Sequence, residues 1–379
     1  MKLTFVMNIP SPYRLHTFNM LWAECKKRGH ELHVHFMNAG HKDRPKSWLN
    51  PQIDFPHTIW KNYGPDQHEW NPGLVRELLK NPPDWIHLGS PYDTFTCIAL
   101  ACLAKKSVLC AGCEGNTKTP GKMTGFIGWF KRFIFAKCPY ATVPGADGAR
   151  YIGLHQALTK KQMPKTILLP NLVDETRFKP SNLQLQLSTS TKKVIIPARL
   201  EPVKGLVPFI ELLDKEMVEG WKIVIMGQGS LHDKIVALIK AKGLEDAIEI
   251  LDYVPYEKMP SFYANADLLL LPSVYDPNPL SLIEAAHCGL PIAASDQCGN
   301  IEEAVSEGKN GIVLHVKDKV RFVEDLKRVF ALTREQLTEM GKWSKEHNAK
   351  FWDSELPISK YLDEVEKSSS SSSSSRKDD

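Results

Sequence analysis

The sequence lacks any long hydrophobic run. No stretch approaches the roughly 18 to 20 uninterrupted apolar residues that a membrane-spanning helix requires. The apolar run in the opening residues, MKLTFVMNIPSPYR, is too short for a secretory signal and is more typical of a first β-strand. We therefore expect a cytoplasmic protein, with at most peripheral contact with the inner face of the cytoplasmic membrane.

Patterned cysteines are also lacking. The chain has 8 cysteines, but they are scattered singly through apolar segments. The C-x-x-C pair formed by Cys110 and Cys113 has no second pair at the spacing of a zinc site. We expect free thiols in the core, no disulfide framework and no bound metal.

Negative charge is scarce in the first half of the chain. Residues 1–170 contain 22 Lys and Arg against 11 Asp and Glu, whereas the remainder contains 26 against 33. A block of positive charge favours phosphates, nucleic acid or anionic lipid without choosing among them.

What the sequence does contain is a regular alternation of short apolar runs and segments of helical period. Runs such as KLTFVM, DWIHLG, WKIVIMG and ADLLLLP are typical of buried parallel strands. At 379 residues the chain is long enough for two domains. The pattern predicts an α/β fold of two tandem doubly wound parallel sheets, with ligands bound at the carboxyl ends of the strands in an interdomain cleft.

The stretch DPNPLSLIEAAHCG predicts an anion-binding helix start. Asp276 lies in a loop after a strand, and Glu284 lies eight residues later, one turn inside a short helix. Pro277 and Pro279 stiffen the loop, and the backbone N–H donors are those of Asn278, Leu280, Ser281 and Leu282. With a phosphate between them, the two carboxylates suit the hydroxyl groups at the two ends of a nucleoside diphosphate sugar. A capping acid and a solvated helix glutamate are the alternative interpretation.

Two more strand ends carry suitable groups. Arg199 and Lys204, in IIPARLEPVKG, are cations that can clamp a diphosphate. Gly227, in VIMGQGS, lets the backbone approach a ligand closely. The G-x-G-x-x-G fingerprint is absent there, so no NAD cofactor is predicted.

These motifs together resemble the retaining GT-B glycosyltransferases, the group that includes glycogen synthase-like and bacterial polysaccharide enzymes. The resemblance runs through ARLEPVKG, VIMGQGS, LDYVPYEKMPSFYANADLLLLPS, DPNPLSLIEAAHCGLPIAAS and CGNIEEAV. It implies two Rossmann-like domains and sugar transfer from a nucleotide donor with retained anomeric configuration. No metal ion is implied.

The resemblance also implies domain limits. The first, acceptor-side domain covers residues 1–172, and a helix at about 346–367 crosses back onto it. The second, nucleotide-sugar domain covers 173–345. Residues 368–379, which begin with eight serines, cannot bury apolar surface and are expected to be disordered.

Residue roles carry over from the family by position. Arg199 and Lys204 would stabilise the departing diphosphate, and Glu284 would hold the ribose. The backbone around Tyr253 and Val254 would contact the base. Nucleotide contacts are also expected from Gly227, Leu280 and Ser281, and donor-sugar contacts from the loop 276–280. Asp276 stands where the family usually has glutamate, and its side chain is shorter by one methylene group.

The first half departs further from the family. Relatives often place a histidine beside the donor sugar, where this chain has Gly89. Asp93 is the residue that we expect to replace it, which makes the candidate catalytic side chains Arg199, Lys204, Asp276 and Asp93. His87 lies on the strand itself and is expected in the core.

Three more residues are acceptor-side candidates: Tyr13, Arg14 and Glu114. A structural turn at Tyr13 and Arg14, and a capping role for Glu114, are equally compatible with the sequence. Residues 121–137, GKMTGFIGWFKRFIFAK, mix aromatic and basic residues in a way that suits a helix on an anionic membrane. An aromatic core helix with basic ends is the simpler alternative.

The main hypothesis is a retaining transferase that uses a UDP-sugar, with glucose or a relative as the sugar by family frequency. The acceptor would be a glycan or glycolipid, and neither a cofactor nor a nucleic acid partner is expected. A nucleotide-sugar epimerase of the same fold and a non-catalytic nucleotide-sugar binder remain the alternatives.

Overall fold

A computed structural model describes residues 1–40, 51–118, 123–178, 191–352 and 355–374. The chain divides into two compact units. Unit 1 contains residues 1–172 and 354–379, and unit 2 contains residues 173–353. Among the described residues, no helix has both the length and the apolar character needed to cross a bilayer.

Unit 1 is built on a seven-stranded parallel sheet in the order β3-β2-β1-β4-β5-β6-β7. Its strands are β1 (Lys2–Met7), β2 (Glu31–Phe36), β3 (His57–Ile59), β4 (Trp85–Leu88), β5 (Val108–Gly112), β6 (Tyr140–Val143) and β7 (Lys165–Leu168). The helices are α1 (Pro12–Lys27), α2 (Pro72–Lys80), α3 (Phe95–Leu103), α4 (Gly125–Phe135) and α5 (Ala146–Ala157), together with α14 (Glu355–Ser374).

The last helix, α14, joins unit 1 although it lies at the far end of the chain. Its buried residues Ile358, Tyr361 and Val365 belong to the same core cluster as Phe5 on β1. The helix runs into the serines that the composition predicts to be disordered. Ser368 is buried and its hydroxyl donates to the carbonyl of Val365, so the anchored turns continue into the serine run. Residues 375–379 lie outside the described part.

Unit 2 is built on a six-stranded parallel sheet in the order β10-β9-β8-β11-β12-β13. Its strands are β8 (Lys192–Pro197), β9 (Trp221–Met226), β10 (Ile248–Leu251), β11 (Leu268–Leu271), β12 (Ile292–Ser295) and β13 (Gly311–Leu314). The helices are α6 (Glu175–Phe178), α7 (Leu206–Leu212), α8 (His232–Ala241), α9 (Met259–Ala264), α10 (Leu280–His287), α11 (Ile301–Ala304), α12 (Lys319–Phe330) and α13 (Arg334–Phe351).

The central strands of unit 2 are buried along their whole length. Every residue of Leu268–Leu271 and of Ile292–Ser295 is buried, as expected for parallel strands covered on both faces. The strand order reverses between β8 and β11, and such a switch point opens a crevice at the carboxyl ends of the strands. The predicted pair of doubly wound parallel sheets is confirmed.

Candidate functional site

The loops that follow β8 and β11 flank the switch point of unit 2. Gly205 has a φ of 68°, and a Cβ there would lie 2.1 Å from the carbonyl oxygen of Pro272. The Val274 and Tyr275 amides both donate to the Val203 carbonyl, at 2.9 and 3.2 Å. The two loops are therefore held in direct contact, and only glycine fits at position 205.

Lys204 and Asp276 are brought together by this contact. The Lys204 ammonium forms an ion pair with Oδ2 of Asp276. Both side chains are largely buried, so the pair has little solvent around it. Arg199, which follows the same strand as Lys204, is exposed. The sequence predicts both cations at this strand end but not the pairing of Lys204 with an acid.

The loop after β9 packs closely against the start of the loop after β8. A Cβ on Gly227 would lie 2.2 Å from the Ala198 carbonyl oxygen, so the two loops approach too closely for a side chain at position 227. The predicted approach of this backbone to a ligand stays a prediction. On the other side, the Gly227 amide donates to Leu251 at 3.0 Å. Tyr253 and Val254 follow β10 at the edge of the sheet, with Tyr253 exposed.

Helix α10 begins at the crevice. Pro279 occupies the N-cap position, and its side chain makes no capping hydrogen bond. The Leu282 amide donates to Pro279 at 3.3 Å, so the prediction that it serves a ligand is wrong for this amide. Leu280 and Ser281, both partly exposed, carry first-turn amides that a helix leaves without an intrahelical acceptor.

Glu284 is buried one turn inside α10. Its Oε2 accepts a hydrogen bond of 2.5 Å from the hydroxyl of Tyr263 on α9. Burial raises the pKa of Glu284 to about 7, and the hydrogen bond from Tyr263 acts in the opposite direction. The carboxyl group is therefore close to its titration midpoint at neutral pH. Sequence reasoning missed Tyr263, although SFYANAD lies within one of the stretches that carry the family resemblance.

The loop that contains Asp276 is also joined to the loop after β12. The Asp276 amide donates to Gln297 at 3.3 Å, and the Gly299 amide donates to the Asp276 carbonyl at 2.9 Å. Asn300 donates from Nδ2 to the Pro279 carbonyl at 3.2 Å. These bonds fix residues 276–279, including Pro277 and the partly buried Asn278, at the start of α10.

A cavity of about 350 Å³ lies in unit 1, at the carboxyl ends of β1, β4 and β5. Its lining includes Arg14, Gly89, Asp93 and Glu114. Arg14 donates to Glu114 at 3.2 Å, so the structure brings two of the three acceptor-side candidates together. Tyr13 lies with Arg14 in the first turn of α1, but its side chain is outside the described part.

Asp93 lines the same cavity. Loss of hydration raises the pKa of its carboxyl group, and the positive charge of Lys131 opposes this rise. Its backbone carbonyl accepts a bond of 2.7 Å from His68, a lining residue that sequence reasoning missed. The neighbouring Gln67 has a φ of 70°, which is strained for a residue other than glycine. His87 is buried and stacked on Phe5, as the sequence predicts.

Helix α4 presents an apolar face to solvent. Phe126 is 75% exposed and Trp129 53% exposed, and Ile127 is exposed between them. The opposite side of the helix buries Ile134 and Phe135 in the core of unit 1. The helix is therefore not the simple core helix of the alternative interpretation. Residues 121 and 122 of the predicted segment lie outside the described residues.

Within the described ranges, no group of three or more His, Cys, Asp and Glu side chains is placed to hold a metal ion.

Residues 181–347 match the family model of glycosyl transferases group 1. An exopolysaccharide phosphotransferase of Streptomyces coelicolor is 30% identical over 172 residues, which are 45% of this chain and 17% of that protein. A putative colanic acid biosynthesis glycosyltransferase of Escherichia coli, WcaL, is 29% identical over 46% of this chain and 44% of its own length. The chain thus spans less than half the length of these relatives.

The fold has a solved counterpart over nearly the whole chain. The structure of Anabaena HepE in complex with UDP superposes with a TM-score of 0.74, covering 97% of this chain and 100% of that one at 17% identity. Identity this low shows the fold alone. Together with the match of residues 181–347 to the glycosyl transferases group 1 model, it confirms the resemblance to GT-B glycosyltransferases.

Proposed function

We propose that this chain is a retaining glycosyltransferase that moves a sugar, glucose or a relative, from a UDP-sugar to a glycan or lipid-linked acceptor without a metal ion. The observation that carries the proposal is the meeting of Lys204, Asp276 and the start of α10 at the switch point of unit 2. A cation, an acid and a helix N-terminus suit a diphosphate that is linked to a hydroxyl-rich group. The choice of UDP is supported by HepE, which was crystallised with UDP and with UDP and glucose.

The reaction breaks the bond between the anomeric carbon and the diphosphate oxygen of the donor. Negative charge grows on that oxygen, and Arg199 and Lys204 supply the positive charge that stabilises it. The acceptor hydroxyl forms the new bond on the same face of the sugar and passes its proton to the departing phosphate. Since the two cations serve the leaving group, the step does not require a metal.

Lys204 has a partner before the donor arrives. Its ion pair with Asp276 keeps the ammonium at the crevice and offsets the charge of a largely buried carboxylate. A bound diphosphate would share the ammonium, which leaves the second oxygen of Asp276 for a sugar hydroxyl. Asp276 therefore both positions the cation and contacts the donor sugar.

The acceptor is placed by this proposal in the cavity of unit 1. Asp93 and Glu114 give it carboxylate oxygens that accept hydrogen bonds, and Arg14 gives it a donor. Such a lining fits the hydroxyl groups of a sugar ring better than an acyl chain. A lipid-linked glycan would present its sugar there while its lipid stays in the bilayer.

Peripheral membrane contact through α4 is part of the proposal. The exposed face of Phe126, Ile127 and Trp129 is followed by Lys137 and Lys161, whose ammonium groups lie 5.2 and 5.6 Å from the ring centre of Phe133. An apolar helix face bordered by cations suits the surface of an anionic bilayer. Residues 1–170 also contain more basic than acidic residues, and this positive charge favours an anionic surface.

The test is acceptor-dependent release of UDP. Purified protein is incubated with UDP-glucose, UDP-galactose or UDP-N-acetylglucosamine and with soluble or lipid-linked glycans, and free UDP and product are measured. The proposal requires UDP release that depends on the acceptor and a product whose anomeric proton coupling matches that of the donor. Conversion of the donor into its epimer without an acceptor would identify an epimerase and overturn it.

A further inference from the structure

Two buried asparagines of unit 2 differ in how their amides are used. Asn300 is 2% exposed and Asn310 is 1% exposed. Asn300 directly precedes α11, and Asn310 follows it. The polar atoms of a buried amide side chain are normally hydrogen-bonded. We therefore asked of each side chain whether all of its polar atoms have hydrogen-bond partners within the protein.

Asn310 is complete. Its Nδ2 donates to the Ala304 carbonyl at 2.9 Å and to the Ser344 hydroxyl at 3.2 Å. Its Oδ1 accepts from the Ser306 amide at 2.7 Å. Every polar atom of this side chain has a partner in the protein, as expected for an asparagine that only holds a loop.

Only one of the two polar atoms of the Asn300 side chain has a partner in the part of the chain that the structure describes. Its Nδ2 donates to the Pro279 carbonyl at 3.2 Å, whereas its buried Oδ1 has no hydrogen-bond partner among the described residues. Asparagine at a helix N-cap usually accepts from the first turn of its own helix. Asn300 is the N-cap of α11 but makes no such bond, because its side chain is turned to Pro279 instead.

The position of this unpaired oxygen limits what it can bind. The bond to Pro279 places the amide at the start of α10, where the proposed function puts the diphosphate. Phosphate oxygens accept hydrogen bonds and cannot donate to Oδ1. The partner must be a donor next to the phosphate, and in a nucleotide sugar that is a hydroxyl group of the sugar or of the ribose. Glu284, one turn inside the helix, already serves the ribose in this account.

We propose that Asn300 reads a hydroxyl group of the transferred sugar through Oδ1 while its Nδ2 fixes the turn before α10. This assignment rests on the proposed function and makes Asn300 a specificity residue for the donor sugar. Asn278 supports it from the neighbouring loop, the one that contains Asp276, since its buried Nδ2 is a donor without a partner in the described structure. The loops beside the start of α10 thus offer both an unpaired acceptor and an unpaired donor, which are the two kinds of group that a sugar hydroxyl can bind.

The experiment compares two ligands in three proteins. Isothermal titration measures the affinity of wild type, Asn300→Ala and Asn310→Ala for UDP and for whichever of UDP-glucose, UDP-galactose and UDP-N-acetylglucosamine wild type binds most tightly. Asn300→Ala should weaken binding of the UDP-sugar about tenfold more than binding of UDP, because the hydrogen bond to the sugar is lost only with the UDP-sugar, whereas loss of the bond to Pro279 affects both ligands. Asn310→Ala should lower the melting temperature and leave the ratio of the two affinities unchanged.

Equal losses for both ligands in Asn300→Ala, or no loss, would overturn the assignment and leave the proposed function standing. If wild type binds neither UDP nor a UDP-sugar, the proposed function fails and this assignment fails with it. Should Asn300→Ala not fold, Asn300→Ser, which suits a helix N-cap, takes its place in the same comparison. A donor that lacks the contacted hydroxyl should bind wild type and the variant equally.

Discussion

The Tyr263 hydroxyl donates a 2.5 Å hydrogen bond to Oε2 of Glu284, joining two helices of unit 2 through one buried carboxylate. The bond occupies one oxygen and leaves Oε1 for a ligand. Burial raises the pKa of this carboxyl group from its ordinary value of 4.5 to about 7. A group that titrates near neutrality at the proposed ribose site makes nucleotide binding depend on pH.

We expect UDP affinity to rise with pH through about 7. Ribose hydroxyls donate to a carboxylate, so UDP binds the ionised form of Glu284 and releases a proton below that pH. Titration calorimetry in buffers of different ionisation enthalpy measures this proton. In Glu284→Gln, UDP should bind about tenfold more weakly at pH 8, and its affinity should change less with pH than in wild type. The change that remains comes from the terminal phosphate of UDP, whose second pKa is about 6. A variant that keeps the wild-type pH profile would show that another group titrates.

The same pKa shift predicts the pH dependence of stability, with a definite sign. The folded state holds the proton of Glu284 more tightly than the unfolded state. The contribution of this proton to the free energy of unfolding is therefore fully present below about pH 4.5 and is lost as the pH rises to about 7. Glu284→Gln cannot ionise and should be about 2 to 3 kcal/mol more stable than wild type at pH 8. Urea unfolding at pH 5 and pH 8 tests this, because the difference should shrink at the lower pH.

Tyr263→Phe should move the pH midpoint of UDP binding upward. The hydroxyl stabilises the ionised form of Glu284, so its loss raises the carboxyl pKa further and weakens UDP binding at pH 7. Tyr361→Phe is the matched control, since Tyr361 is also buried and accepts a hydrogen bond from Trp85 in unit 1. A midpoint that moves equally in both variants would contradict a direct effect on Glu284.

Lys204→Ala should reduce turnover far more than donor binding, because the charge that Lys204 meets is largest in the transition state. It should also lower stability by about 2 to 4 kcal/mol, since Asp276 is left buried without its partner. The double variant Lys204→Ala/Asp276→Asn should recover part of this stability but not the turnover. Lys327→Ala removes an exposed lysine of α12 and serves as the charge control. Equal losses in binding and turnover would contradict the assigned role.

Removing the aromatic face of α4 should weaken the proposed binding to anionic membranes. Phe126→Ser/Trp129→Ser should bind vesicles of phosphatidylcholine and phosphatidylglycerol at least about tenfold more weakly than wild type, because two exposed apolar side chains no longer enter the bilayer. Val320→Ser removes an equally exposed apolar side chain from α12 and should bind like wild type. The proposal of an anionic membrane partner would be contradicted if wild type floated only with neutral vesicles. It would also be contradicted if Phe126→Ser/Trp129→Ser and Val320→Ser bound equally well.

The strands were predictable where they are buried. Leu268–Leu271 is a continuous apolar run because both faces of β11 are covered, and the same reason applies to β12. β3 was missed because it has only three residues, with exposed ends and no apolar run. The composition of the serine run gave no sign that α14 continues into it, since that depends on the anchored turns before Ser368.

The sequence predicted those residues of the candidate site that lie in the loops after strands. Arg199 and Lys204 lie in the loop after β8, and Asp276 lies in the loop after β11, so the topology places them at one edge of the sheet. Tyr263 lies 21 residues from Glu284, and only the packing of two helices brings their side chains together. The unpaired oxygen of Asn300 likewise depends on which way the amide turns.

The most direct measurement is a crystal structure with bound UDP. We expect the diphosphate to lie against the Leu280 and Ser281 amides, with Lys204 and Arg199 on its oxygens and Glu284 on the ribose. UDP bound elsewhere, or bound with these three side chains turned away from it, would contradict the central claim.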